Sequence, residues 1–250
     1  MAAGTDLRHK WLHREPEMGL VLRFVPIAQR EAAVRWGALL SELREAAFEL
    51  SDARVTQAKA GWWAEELLRF QQGCPRHPLG GEVPADLPWA DLAAGLVETA
   101  GAEGRAPDPE QAFAQVRPFA AAIAAVEAAW FGAKPEASTA EEAVAVHLLA
   151  QRLVHGRADD DAARVPMNLL ARHGLTPSAL SQLQGEPVVR EWSGVLHARA
   201  PVPTRAMVVF RRLRAALDRE QLRHLQRDPG RVWRPGPSTV WRSWRLARGG

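Results

Sequence analysis

Tyrosine is absent from this 250-residue chain. No phenol can therefore donate a proton or hold a substrate by a hydrogen bond. Cysteine occurs once, as Cys74, which excludes an internal disulfide and a thiolate metal cluster. Lysine occurs three times, at Lys10, Lys59 and Lys134, so arginine supplies almost all of the positive charge. The longest apolar stretch, Phe119 to Ala133, carries Glu127 and falls short of the roughly 18–20 residues of a membrane span. No transmembrane helix is expected. The N-terminus has no apolar core after a basic start, so no secretory signal is expected and a cytoplasmic location is the default. Period-two alternation of apolar residues, the mark of half-buried strands, is also missing.

What is present is a chain with 47% hydrophobic and 24% charged residues, enough for one large core in a single domain. The charge is uneven. Residues 205–250 hold twelve arginines against Asp218, Glu220 and Asp228, a balance of +9 in a chain of net charge +3, so the remainder stands at −6. A basic end on an acidic body suits a polyanionic partner: diphosphate groups, an anionic membrane surface, nucleic acid or an acidic protein. Arginine used simply as the general solubilising cation is the alternative. The tail shows no nucleic-acid fingerprint, and Trp233, Trp241 and Trp244 among its arginines fit an anionic membrane interface better. Peripheral attachment at the inner membrane follows as an extension of the cytoplasmic expectation.

Apolar residues repeat at helical spacing almost throughout, which predicts an all-α fold with helices over 28–50, 54–72, 88–103, 109–132, 139–156, 176–184, 201–227 and 237–248. Residues 1–27 lack a sustained amphipathic stripe and are expected to be poorly ordered or peripheral to a helical domain spanning 28–250. The Gly230–Pro237 stretch is expected to behave in the same way. Within 139–156, Val146, Leu149, Ala150 and Leu153 form a core stripe, while His147, Gln151 and His155 follow one another at four-residue steps. That polar row either lines a cavity or faces solvent. His147 and His155 are about 12 Å apart along the helix, too far to share a metal ion.

Three segments together resemble the squalene/phytoene synthase family. Lys59-Ala60-Gly61-Trp62-Trp63-Ala64-Glu65-Glu66-Leu67, followed by Gly73 and His77-Pro78-Leu79, is similar to the family's K-L-x-W-W-R-E-E-L … G-x-x-x-H-P stretch. Val165-Pro166-Met167-Asn168-Leu169-Leu170-Ala171-Arg172-His173-Gly174-Leu175 resembles Y-L-P-x-D-L-L-x-x-H-G-L. Val240 to Arg248 resembles the closing L-W-L-A-W-R-A-A-R of some bacterial members. The resemblance covers about 220 of the 250 residues. It implies an isoprenoid-synthase-like helical bundle that joins two prenyl diphosphates, with Mg²⁺ held by two aspartate-rich motifs that neutralise the substrate diphosphates.

The departures fall on those motifs. At the first, Glu42, Arg44, Glu45 and Glu49 replace the aspartates. Glu42, Glu45 and Glu49 share one helical face and are either a partial metal set or an acidic surface stripe. At the second, Gln151 stands at the asparagine, Val154 at the arginine, His155 at the first aspartate and Asp159 at the second; two residues are missing and the tyrosine is absent. Imidazole is a poor Mg²⁺ ligand beside carboxylate. The resemblance thus implies metal contacts at Glu42, Glu45, Glu49 and Asp159 if Mg²⁺ binds at all. It implies substrate contacts at Gln151, Arg152, His155, Arg157 and Arg164, and it gives no catalytic residue. Two readings follow: a non-catalytic isoprenoid- or lipid-binding scaffold with a possible protein partner, or a Mg²⁺-dependent prenyl transferase with a remodelled metal site. A helical adaptor that binds anionic membranes through its Arg/Trp tail is the third.

Overall fold

Helix boundaries follow the capping residues that the sequence supplies. Asp52 opens helix α4 (Ala53–Gln71) by accepting the Arg54 backbone N–H at 2.7 Å. Asp108 opens α6 (Pro109–Phe131) by accepting that of Gln111, with Pro109 in the first turn, where its missing N–H costs nothing. Gly132, at φ 68°, closes α6 in the left-handed conformation that glycine adopts without strain.

The computed structural model describes residues 2–48, 50, 52–81, 83–102, 104–132, 137–156 and 163–248. Among them the fold is all-α, with no strand. The remaining helices are α1 (Ala2–Arg14), α2 (Pro16–Val21), α3 (Ile27–Phe48), α5 (Trp89–Ala100), α7 (Ala137–Gly156), α8 (Met167–Arg172), α9 (Glu186–Arg199), α10 (Val209–Arg227) and α11 (Pro237–Ala247). Consecutive helices from α3 to α7 each pack on the next; α10 then packs on α7 and α9, and α1 lies on α3. The tryptophans explain much of the core. Phe70, Trp89, Trp130 and Trp36 meet edge to face in sequence, at ring-centre distances of 5.4, 6.2 and 5.9 Å, and so join α4, α5, α6 and α3.

By length and composition α6 could cross a membrane, but more than half of its apolar window is buried inside the bundle. Its Glu127 is held there by Trp36 and Arg211, as suits a core helix.

Three sequence expectations are corrected. Residues 2–25 are not peripheral: Trp11, Met18, Val21 and Val25 are buried in the main core. The segment expected as one helix over 176–184 is a pair of 3₁₀ turns, Pro177–Ser181 and Leu183–Gly185, followed by the unforeseen α9. Helix α10 begins at Val209 rather than 201, because Pro201 and Pro203 provide no N–H for a helical ladder.

The N-terminal docking is close. A Cβ on Gly37 of α3 would lie 2.2 Å from the Trp11 ring. Gly37→Ala should therefore cost roughly 1–3 kcal/mol by forcing α1 away from α3. The check is urea unfolding together with limited proteolysis. Unchanged stability and no new cleavage within residues 2–25 would show that α1 does not rest on α3 in this way.

Candidate functional site

The centre of the bundle is polar. Helices α3 and α7 each aim one charged or ionisable side chain inward, α10 aims two, and the α1–α2 junction supplies two more. Arg44 of α3 donates to Glu15 at 2.5 Å and to Nε2 of His147 at 3.1 Å. His147 of α7 donates from Nδ1 to Asp218 of α10 at 3.1 Å. Arg214, one turn before Asp218, donates to Asp218 at 3.0 Å, to Glu15 at 3.0 Å and to Glu17 at 2.8 Å. All six side chains are buried. These partners fix the histidine tautomer: with Asp218 accepting at Nδ1 and a guanidinium donating to Nε2, the ring is neutral.

The electrostatics agree. Burial alone would raise Glu15, but Arg44 and Arg214 override it and hold the carboxyl at about 2. Asp218 is likewise held well below the carboxylate range, against burial, chiefly by Arg214 and then by His147. Burial pushes His147 down to about 4 even though the Asp218 charge opposes it.

Two further polar groups flank this network. Arg211 of α10 grips Glu127 of α6 with two hydrogen bonds, at 2.9 and 2.5 Å, while Trp36 donates to the same carboxylate at 2.8 Å. Gln151 donates to Gln221 at 3.2 Å and accepts from His155 at 3.1 Å. The row His147, Gln151, His155 is therefore neither a solvated face nor the lining of an open cavity, but one rail of an interior hydrogen-bond ladder between α7 and α10.

The structure separates the residues implicated by the resemblance. Gln151 and His155 belong to that ladder. Arg152 instead lies over the Phe48 ring at 4.9 Å and lines a small cavity with Arg164, Thr99 and Gln115. Burial, with the positive charges of Arg164 and Arg105, lowers Arg152 to about 9. Arg164 sits at φ 40°, and Arg105 donates to the Val165 carbonyl.

Glu42 and Glu45 do come together, but around cations of the chain itself. Lys10 reaches both at 2.7 Å, and Glu45 also takes Lys59 and, at 3.4 Å, Arg14. Burial would raise Glu45; Lys10 and Lys59 hold it down. Glu49, Arg157 and Asp159 lie outside the described residues. Among the described residues no three His, Cys, Asp or Glu side chains are placed to hold a metal ion, and Glu42 with Glu45 does not fit Mg²⁺, because ammonium and guanidinium groups already meet these carboxylates.

The Trp-Trp motif has a local role. Glu66, buried on α4, accepts the backbone N–H groups of Arg76 and His77, both at 2.7 Å. The His77 ring then packs against Trp63, with ring centres 4.7 Å apart. Trp63, Glu66 and His77 thus form a clasp that holds the loop after α4, while Lys59 of the same motif reaches Glu45 of α3.

Chemically, the central network is closed on itself, its charged groups meeting partners within the chain. Both nitrogens of His147 are engaged, so the ring cannot take a proton from a substrate without first losing Arg44. The space between Trp11, Glu15, Gly37, Leu40, His147, Phe210 and Arg214 is about that of a single water molecule. Sequence reasoning missed Glu15, Glu17, Arg214 and Asp218. One signal was available for the last two: Arg214 and Asp218 stand one turn apart beside Leu213 and Leu217, an opposite-charge pair flanked by core positions. In comparisons with known proteins, the chain matches no family model and no curated protein.

Proposed function

We propose that this chain is a non-catalytic helical scaffold, a binding or assembly protein built on a squalene/phytoene synthase-like bundle and lacking prenyl transfer. The observation that carries this reading is the closed polar centre. A site for even one prenyl diphosphate needs roughly 300 Å³ or more of cavity, and its diphosphate needs cations that are free to meet it. At the middle of this bundle, Arg44 and Arg214 are committed to Glu15, Glu17 and Asp218, and the space beside Glu15, His147 and Arg214 suits a water molecule. The family assignment itself rests on the three ordered motifs. The first of them doubles as the α4 clasp, so its residues have a reason to be present without catalysis.

Purified protein incubated with farnesyl or geranylgeranyl diphosphate, Mg²⁺ and NADPH is expected to release no more diphosphate than a protein-free control. Sustained release in proportion to protein concentration would refute the scaffold reading in favour of a remodelled transferase. A rise in melting temperature that requires both Mg²⁺ and a farnesyl thiodiphosphate analogue would point the same way.

A further inference from the structure

Helix α11 packs on α10 and α2 in an unusual orientation. Its small polar residues face inward: Thr239 and Ser243 are buried, and Thr239 donates to Glu220 of α10 at 2.6 Å. Its two tryptophans face outward, Trp241 58% and Trp244 38% exposed, while Val240 and Leu246 are half-buried; Val232, just before the helix, is 84% exposed. A helix that only completed a core would be turned the other way.

The charges on this face have one sign. Between Gly230 and Arg248 the charged residues are Arg231, Arg234, Arg242, Arg245 and Arg248, with no aspartate or glutamate. Arg242 meets Glu220 and Arg231 approaches Asp228 at 3.8 Å. Arg234, Arg245 and Arg248 meet no carboxylate among the described residues. Two of these lie on the tryptophans instead, Arg245 over Trp241 at 4.9 Å and Arg248 over Trp244 at 4.5 Å.

We infer that α11 and the segment entering it dock on an anionic lipid bilayer. Tryptophan has an apolar body and a polar N–H, and it settles at the level of lipid headgroups. Guanidinium groups match phosphate oxygens through paired hydrogen bonds, and basic residues beside a membrane are drawn to anionic lipid. The pairing of each exposed tryptophan with an arginine one turn later gives both contacts at one depth. Arginine reads guanine edges and nucleic-acid phosphates as well as lipid headgroups, so it is the two outward tryptophans, which settle at headgroup depth, that favour the bilayer. This inference stands apart from the scaffold reading, since it involves neither prenyl diphosphate nor the bundle interior.

The test is co-sedimentation of the full chain with vesicles of phosphatidylcholine alone and of phosphatidylcholine mixed with phosphatidylglycerol, at low and high salt. Binding is expected only with the anionic vesicles and should weaken as salt rises. Trp241→Ser with Trp244→Ser, and separately Arg245→Gln with Arg248→Gln, should each reduce binding by about tenfold or more. The changed side chains point outward, so circular dichroism should confirm that both variants fold. Equal binding by parent and Trp variant would overturn the inference. So would displacement from vesicles by short duplex DNA at matched charge, or a concentration-dependent self-association that the Trp variant abolishes.

Discussion

Replacing Arg214 with methionine should lower the free energy of unfolding by about 3–5 kcal/mol, the cost of breaking a buried ion pair from one side. Methionine fills a similar volume, so an empty cavity is not the cause. The cost arises because Glu15, Glu17 and Asp218 all accept from this one guanidinium and have no solvent in which to recover the lost interaction. The same substitution at Arg212 gives the comparison. Arg212 is buried on the same helix but meets no carboxylate among the described residues, and Arg212→Met should change stability by less than about 1 kcal/mol. Urea midpoints at neutral pH separate the two. Equal losses would show that Arg214 matters for its packing and not for the charges it holds.

Acidification should weaken the fold well before ordinary carboxylates begin to titrate. His147 is held at about 4, below its ordinary value of 6.5. Between those limits the unfolded chain takes up a proton that the folded chain refuses, so stability is full above about pH 6.5 and falls as the pH drops towards 4. The contribution of His147 is on the order of 3 kcal/mol. His155, also lowered to about 4, chiefly by burial and then by Arg44, acts in the same direction with a smaller weight because it is only partly buried. Glu15 and Asp218, both depressed, add a further loss that begins as the pH falls through the ordinary carboxylate range and continues towards about 2. Urea midpoints from about pH 7 to pH 4.5 should therefore decline steadily. His147→Gln, which keeps a polar side chain but cannot titrate, should flatten the curve. Parallel curves for the two proteins would rule out His147 as the source.

The helices from α3 to α7 were legible because their apolar residues keep the 3.6-residue period and their ends carry Asp52, Asp108 and Gly132. The first 25 residues were not, because Glu15 and Glu17 read as solvent-facing in any hydrophobic count, and the partners that make them interior, Arg44 and Arg214, lie on other helices, the latter almost two hundred positions away. Helix α9 was hidden by Pro187 and Gly194, residues that signal interruption although Pro187 lies harmlessly in the first turn. The basic tail was overstated for a related reason. Arg211 and Arg214 belong to the core and are matched there by Glu127 and by Glu15, Glu17 and Asp218, so the outward charge of the C-terminal region is smaller than its composition implies. The polar row on α7 was visible, but whether it opened onto a cavity depended on α10, whose polar residues lie about seventy positions later in the chain.

The link from Glu15 to Arg214 joins residues 199 positions apart, and it sets an order of events at the ribosome. At roughly 5–20 residues per second, Arg44 follows Glu15 within seconds, but the first two helices wait on the order of ten seconds or more before Arg214, which joins Glu15 to Glu17, has been synthesised. During that interval Trp11 and Met18 have no finished interior to enter. The nascent chain is therefore most vulnerable at its beginning and matures only as its last third emerges, so slow translation or loss of the C-terminal helices leaves an exposed N-terminus for chaperones or proteases to engage.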